Sequence, residues 1–154
     1  MLFANILVTT DLSEESCQAF EIALYQARQY EAHLTLLAVF ENFQIPAPLQ
    51  KQFGGPAQMA QLEEEYRQKC RDKLEPLYKR YFHDSDVKIV AIFSDKSAAE
   101  EIISYIEKNG VGLLVISNRG HSKVSELFLG NTTQEILRRV SCPVLVIPSI
   151  ASLR

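Results

Sequence analysis

Hydrophobic residues along this chain fall into five short runs that are separated by longer segments of mixed polarity. The runs are FANILV (3–8), HLTLLAVF (33–40), VKIVAIF (87–93), VGLLVI (111–116) and PVLVI (143–147). They are rich in β-branched residues and carry almost no charge, which is typical of strands covered on both faces of a parallel sheet. The pattern therefore predicts five buried strands.

In the segments between these runs, apolar residues recur every three or four positions, which predicts four amphipathic helices. The predicted bounds are 13–30, about 57–82, 97–108 and about 132–140. Pro76 is expected to kink or split the second helix near Glu75, because its ring removes an amide donor and clashes with the preceding turn. The glutamine-rich segment 42–58 contains several prolines and glycines and is predicted to be a surface loop.

Strands and helices alternate along the whole chain, and the crossovers are long enough to join parallel strands by right-handed connections. This order predicts an α/β fold with a single open five-stranded parallel sheet and helices on both faces. The 154 residues suit one domain that spans 1–154. A share of 47% hydrophobic and 23% charged residues is ordinary for a globular protein, so no disordered tract is needed to explain the chain.

Charge and residue usage argue against several classes of partner. A net charge of −3 does not favour a nucleic-acid binder that relies on a basic surface. No apolar run approaches the ~18 residues of a membrane span, and the first residues lack the basic start of a signal peptide. The three cysteines are widely spaced and suit reduced thiols, and the three histidines show no metal-ligand spacing. We therefore predict a cytoplasmic protein without membrane, nucleic-acid or resident metal partners.

Polar and glycine residues follow the first and fourth predicted strands. Ligands of open parallel sheets bind at the carboxyl ends of the strands, where the strand order reverses. If these two strands are neighbours, Thr9, Thr10 and Asp11 meet the segments 117–120 and 130–133 there. Gly130 directly precedes a helix start, where free amides and the helix dipole favour an anion. The sequence thus predicts a phosphate-type site at this edge.

Other interpretations of these residues remain open. Thr132 with Glu135 matches a capping box and could serve only to begin the last helix. Asp11 could cap the first helix or contact a ligand. The sequence has no phosphate-loop lysine motif, no nucleophile elbow and no paired carboxylates in the crevice, so no catalytic residue is predicted.

Three segments together resemble the universal stress protein family, and the likeness covers the whole chain. They are the opening ILVTTDLSEES (6–16), the segment 117–133 and the closing CPVLVIP (142–148). Members of that family that bind ATP carry a loop of the form G-x2-G-x9-G-[ST]. Gly120 and Gly130 match this form, whereas Ser117 stands in place of the first glycine and Asn131 in place of the final serine or threonine.

The resemblance implies the strand order 3-2-1-4-5 of an adenine nucleotide alpha hydrolase-like, half-Rossmann fold. It implies adenine and ribose near Asp11 and Val39, with phosphates on the glycine loop. The expected ligand is ATP or another adenine nucleotide, with Mg²⁺ as its companion ion. The implied contacts are Thr9, Thr10, Asp11, Val39, Ile116, Ser117, Arg119, Gly120, Gly130, Asn131, Thr132 and Thr133.

The resemblance also implies a homodimer in which the last strands, residues 144–147, pair in antiparallel fashion. The function expected from it is that of a stress-response regulator that holds a nucleotide without fast turnover and signals to a protein partner. Two alternatives stay open, a nucleotide-free dimer that acts only through protein contacts and a slow ATPase. A response-regulator receiver is disfavoured because Asp11 and Asp95 lack the neighbouring acidic residues that such a domain needs.

Overall fold

The computed structural model describes residues 2–83, 85–118 and 129–148. Within these residues the strands are β1 Asn5–Thr10, β2 His33–Glu41, β3 Val87–Ser94, β4 Leu113–Ser117 and β5 Val144–Ile147. The helices are α1 Glu14–Tyr30, α2 Ala47–Gln50, α3 Gly55–Asp72, α4 Glu75–Tyr81, α5 Ala98–Asn109 and α6 Asn131–Arg139. The bounds of the strands and of α1 and α5 agree with the predicted bounds to within about two residues, which is the usual uncertainty of element ends.

The described strands form one parallel sheet in the order β3-β2-β1-β4-β5. Strand β1 lies at the centre, with Ile6 opposite Leu34 of β2 on one side and opposite Leu113 of β4 on the other. The predicted sheet and its implied strand order are confirmed. Because β2 and β4 leave β1 in opposite directions, the strand order reverses between β1 and β4.

Helices cover both faces of the sheet, as predicted. On one face α1 and α4 pack against the sheet, and the Phe20 ring lies 5.1 Å from that of Phe82 and 5.3 Å from that of Tyr81. On the other face α5 and α6 pack through Ile103 and Ile136 among others. The hydrophobic runs of β1 and β4 are buried because both of their faces are covered.

The long second helix of the sequence prediction is divided in two, as Pro76 led us to expect. Helix α3 ends at Asp72 and α4 begins at Glu75, with Pro76 in its first turn. The missing amide of proline costs nothing in a first turn, where the donor has no intrahelical partner. The break therefore falls just before the proline, and Leu74 is buried beside it.

The predicted loop 42–58 is only partly a loop. Residues Ala47–Gln50 form the short helix α2, and α3 begins at Gly55 instead of near Ala57. Each helix has a proline within its first two positions, a place that proline favours. The prediction treated these prolines only as helix breakers, which explains the error. None of the helices within the described residues is both long and apolar enough to cross a bilayer.

Candidate functional site

A cavity of about 370 Å³ lies at the carboxyl edge of the sheet, where the strand order reverses between β1 and β4. Ten of the twelve residues that the sequence analysis selected line this cavity. They are Thr9, Thr10, Asp11, Val39, Ile116, Ser117, Gly130, Asn131, Thr132 and Thr133. The other two, Arg119 and Gly120, lie outside the described residues. The structure thus brings these ten side chains and backbone segments together, and their contact with a ligand stays a prediction.

Four further residues line the cavity, and the sequence analysis did not select them. They are Ser16, Leu37, Ala98 and Ile102. Leu37 precedes Val39 by two positions, so both point to the same side of β2. Ile102 belongs to the apolar stripe of α5, which indicates only core packing. Residue spacing could have suggested Leu37, whereas α5 reaches this edge only through the tertiary fold.

The cavity wall has an apolar part and a polar part. The apolar part comes from β2, β4 and α5, through Leu37, Val39, Ile102 and Ile116. The polar part comes from the end of β1 and the start of α6. A few polar groups beside an apolar wall are typical of sites for small organic ligands.

Helix α6 begins at Asn131, with Gly130 as its N-cap. No side chain caps this end among the described residues, so the interpretation of Thr132 and Glu135 as a capping box is wrong. The helix begins one residue earlier than that motif requires, and Glu135 instead accepts a hydrogen bond from Arg139 at 2.8 Å. The first amides of α6 therefore lie at the cavity without a capping side chain.

Two other helices contribute residues to the cavity, α1 and α5, and both are capped by their own side chains. In α1 the Ser13 hydroxyl accepts from the Ser16 amide at 3.2 Å. In α5 Ser97 and Glu100 form a complete capping box, with distances of 3.2 and 3.1 Å. Of these three helices, α6 is thus the one whose start has no capping side chain within the described part of the chain, so its first amides can donate to an anion.

The start of α6 is held against the end of β4 by two hydrogen bonds. The Gly130 amide donates to the Asn118 carbonyl at 2.9 Å, and the Thr133 hydroxyl donates to the Ser117 carbonyl at 3.2 Å. Ser117 has no positive φ, so the serine in place of a family glycine causes no backbone strain.

Asp11 does not cap α1, since Ser13 occupies the N-cap position. Its Oδ1 atom accepts hydrogen bonds from the amide of Ser13 at 3.0 Å and from the Ser13 hydroxyl at 2.5 Å. Asp11 is also the one titratable side chain among the described residues that line the cavity. The described wall thus offers a fixed carboxylate but no pair of groups that could exchange a proton with a substrate.

The cysteines near these elements are poorly suited to act as nucleophiles. Burial raises the pKa of the Cys17 thiol, whose sulfur lies 3.4 Å from the Ser13 carbonyl. Burial also raises the pKa of the half-buried Cys142 thiol. Both groups therefore remain protonated at neutral pH, and neither lines the cavity.

The model of the universal stress protein family matches residues 2–148. Universal stress protein YxiE of Bacillus subtilis is 26% identical over 153 residues, which cover 95% of this chain and 99% of the relative.

Solved structures show the same fold. Universal stress protein UspA from Lactobacillus plantarum superimposes with a TM-score of 0.71 at 22% identity, covering 94% of this chain and 97% of its own. A universal stress protein from Archaeoglobus fulgidus in complex with dAMP superimposes with a TM-score of 0.65 at 13% identity, which covers 96% of this chain and 99% of that protein's chain. A universal stress protein in complex with cAMP superimposes with a TM-score of 0.66 at 17% identity, which covers 95% of this chain and 97% of that protein's chain. Because the family model matches almost the full length, the chain belongs to the universal stress protein family.

Proposed function

We propose that this protein is a stress-response regulator that binds ATP or a related adenine nucleotide in the cavity between β1 and β4. One observation carries the proposal: a single cavity joins an apolar wall to a polar wall that includes the uncapped start of α6. A planar base suits the first wall, and an anionic phosphate group suits the second.

The residues that are present fit the parts of such a ligand. Leu37, Val39 and Ile102 would pack against the base, since burial of aromatic surface is favourable there. Asp11 would accept from ribose hydroxyls. The phosphates would lie at the first amides of α6, beginning at Asn131. Each such helix-terminus contact is worth only about 0.3–1 kcal/mol, so affinity must come from several contacts together.

Two similar structures support adenine as the base, since those proteins hold cAMP and dAMP. Those two proteins share the fold of this chain at low sequence identity. That the ligand of this chain carries three phosphates, as in ATP, is therefore part of the proposal. Mg²⁺, where it accompanies ATP, would be bound mainly through the phosphates. The proposal assigns Asp11, the one carboxylate on the described wall, to the ribose and leaves no second carboxylate there to activate water, so we propose storage of the nucleotide over rapid hydrolysis.

The protein would act in the cytoplasm, as a homodimer joined through β5, and a protein partner would recognise the nucleotide-bound form. Within the described sheet β5 is an edge strand, which leaves one of its sides available for pairing. The alternative of a nucleotide-free dimer makes the opposite prediction for the cavity, and the following experiment separates the two.

The test is isothermal titration calorimetry of the purified protein with ATP, ADP, AMP, cAMP and dAMP, and with GTP as the control for base selectivity. Saturable binding of at least one adenine nucleotide, and weaker binding of GTP, is the expected result. Nucleotide released on denaturation of the purified protein would support the proposal further. No saturable response to any of these ligands at millimolar concentration would refute it.

A further inference from the structure

The turn between β1 and α1 contains an unusual backbone conformation. Leu12 has a φ of 69°, and among the described non-glycine residues only Glu31 shares a positive φ. Glu31 ends α1, where a left-handed residue is common. Leu12 has no such position, and a branched apolar residue adopts this conformation only when its surroundings hold it there.

Two hydroxyl groups hold this turn. The Leu12 amide donates to the Thr10 Oγ1 atom at 3.0 Å. The same Thr10 Oγ1 atom lies 2.7 Å from the Ser16 Oγ atom. The Ser16 hydroxyl in turn donates to the Ser13 carbonyl at 2.8 Å. A hydroxyl has one proton, so with the Ser16 proton assigned to the Ser13 carbonyl, Thr10 is the donor to Ser16. The hydrogen bonds thus run in one direction, from Leu12 through Thr10 and Ser16 to Ser13.

This chain of hydrogen bonds also fixes Asp11. Ser13 donates to the Asp11 carboxylate through both its amide and its hydroxyl. Thr10, Ser13 and Ser16 are only 7%, 6% and 3% exposed, whereas Asp11 is exposed at the cavity. The buried hydroxyls therefore form the support of the carboxylate.

Two sets of donors on the polar wall differ in whether their protons are already used. The hydroxyl protons of Thr10 and Ser16 are both used within the turn. By contrast, the side chains of Thr9, Asn131 and Thr132 form no hydrogen bond with any other described residue, although all three line the cavity. The second group can donate to a ligand, and the first group cannot do so without breaking the turn.

We infer that Thr10 and Ser16 are positioning residues that hold the left-handed turn at Leu12 and thereby place the Asp11 carboxylate against the bound nucleotide. They donate no hydrogen bond to the nucleotide themselves. This inference rests on the proposed function, since it concerns the affinity of the same cavity. It separates the residues that support the site from those that touch the ligand.

The first test compares Thr10→Val, which removes the hydroxyl at nearly constant shape, with Thr10→Ser, which retains it. ATP is the probe, and calorimetry measures its dissociation constant for each protein. Loss of a buried hydrogen bond that orients a contact is expected to weaken ATP binding roughly tenfold in Thr10→Val. Thr10→Ser is expected to restore the affinity to within about twofold of the wild type.

The second test repeats Thr10→Val in an Asp11→Ala background, as a double-mutant cycle. If Thr10 acts through Asp11, the substitution has no further effect on ATP affinity once the carboxylate is absent. An equal loss in both backgrounds would overturn the inference, because Thr10 would then act independently of Asp11. Amide exchange of Leu12 in the nucleotide-free protein is expected to be slow in the wild type and faster in Thr10→Val.

The outcomes distinguish this inference from the proposed function. If the wild type binds no adenine nucleotide, both fail. If the wild type binds ATP and Thr10→Val binds it equally well, only the positioning role fails. If Thr10→Val does not fold, Ser16→Ala takes its place, because it breaks the same chain of hydrogen bonds. Its ATP affinity is compared with that of the wild type in the same way.

Discussion

Gly130 lines the cavity with a backbone conformation that any residue can adopt, since its φ is −58°. A Cβ atom added there would meet the Asn118 carbonyl at 3.4 Å, an ordinary contact. Gly112 differs, because a Cβ there would lie 2.0 Å from the Leu2 carbonyl oxygen. Close packing of the backbone thus requires a glycine at position 112, whereas at Gly130 we expect the missing side chain to leave space for the proposed ligand.

Replacement of Gly130 by valine is expected to remove ATP binding while the fold persists. The branched side chain would occupy the space in front of the first amides of α6, and affinity should fall roughly tenfold or more. Calorimetry measures the binding, and the unfolding midpoint without nucleotide should change by less than about 4 °C. Gly112→Ala is the contrasting variant, in which overpacking lowers stability by about 1–3 kcal/mol. Wild-type affinity in Gly130→Val would contradict the assignment of the phosphate position.

The Glu100 carboxylate provides a residue-scale prediction about pH. Hydrogen bonds from the amide and hydroxyl of Ser97 lower the pKa of this group. Because its folded pKa is below its unfolded pKa, its contribution to stability is present at neutral pH and is lost as pH falls through the folded value.

Glu100→Gln is therefore expected to be less stable than the wild type at neutral pH and to approach it in acid. Urea denaturation at a series of pH values measures the free energy of unfolding for both proteins. A difference that stays constant down to strongly acidic pH would show that the charge of Glu100 does not stabilise the start of α5.

At the scale of whole elements, α1 and α5 end in the same way with different residues. The C-cap of α1 is Glu31, with φ 50°, and the C-cap of α5 is Gly110, with φ 59°. In both helices the cap amide donates to a carbonyl of the last turn. Only glycine adopts this conformation without a steric cost.

These two ends predict opposite effects of two substitutions. Glu31→Gly relieves the left-handed strain and is expected to raise the free energy of unfolding by about 0.5–1 kcal/mol. Gly110→Ala introduces the strain and is expected to lower it by about 1 kcal/mol, although a Cβ there would meet no other atom. Urea denaturation measures the free energy of unfolding of both variants. A Gly110→Ala variant more stable than the wild type would contradict the role of left-handed strain at these helix ends.

The helix boundaries also show which ends of helices a local sequence pattern can predict. Pro76 marks the break between α3 and α4 because proline acts on its own turn. The capping box of Thr132 and Glu135, which the sequence left open, does not form. It is a local motif, whereas contacts of Gly130 and Thr133 with the end of β4 determine where α6 begins. Those partners are more than ten residues away in sequence, so no local pattern contains them.

For the whole molecule, the edge strand β5 carries the prediction of a dimer. The carbonyls of Pro143 and Ile147 accept from the amides of Leu114 in β4 and of Asn118 just after it, so the odd-numbered residues of the segment 143–147 point their backbone groups towards β4. The amides and carbonyls of Val144 and Val146 consequently point away from β4, to the outer edge of the described sheet. An antiparallel partner strand would pair with these groups.

Val146→Pro removes one outward amide and leaves the hydrogen bonds between β4 and β5 in place. This variant is expected to shift the protein from dimer to monomer, whereas Val146→Thr, which retains the amide, should remain dimeric. Sedimentation velocity over a range of concentrations measures the masses. A wild-type monomer, or a Val146→Pro variant with unchanged dimer affinity, would contradict pairing through β5.

The sequence by itself determined the five strands, the α/β order, the sheet topology implied by family resemblance and ten residues that meet at one cavity. It could do so because hydrophobic periodicity is local, and because parallel strands place their carboxyl ends at a common edge. Leu37 and Ile102 escaped notice as cavity residues since apolar positions in a core and in a ligand site have the same pattern.

Only the tertiary structure decided where α6 begins, which donors of the polar wall have partners among the described residues, and that Leu12 is left-handed. Each of these depends on competition for hydrogen bonds among several segments, such as Thr10 with Ser16 or Thr133 with Ser117. A hydroxyl has one proton to donate, and which acceptor receives it is determined by the packing around it.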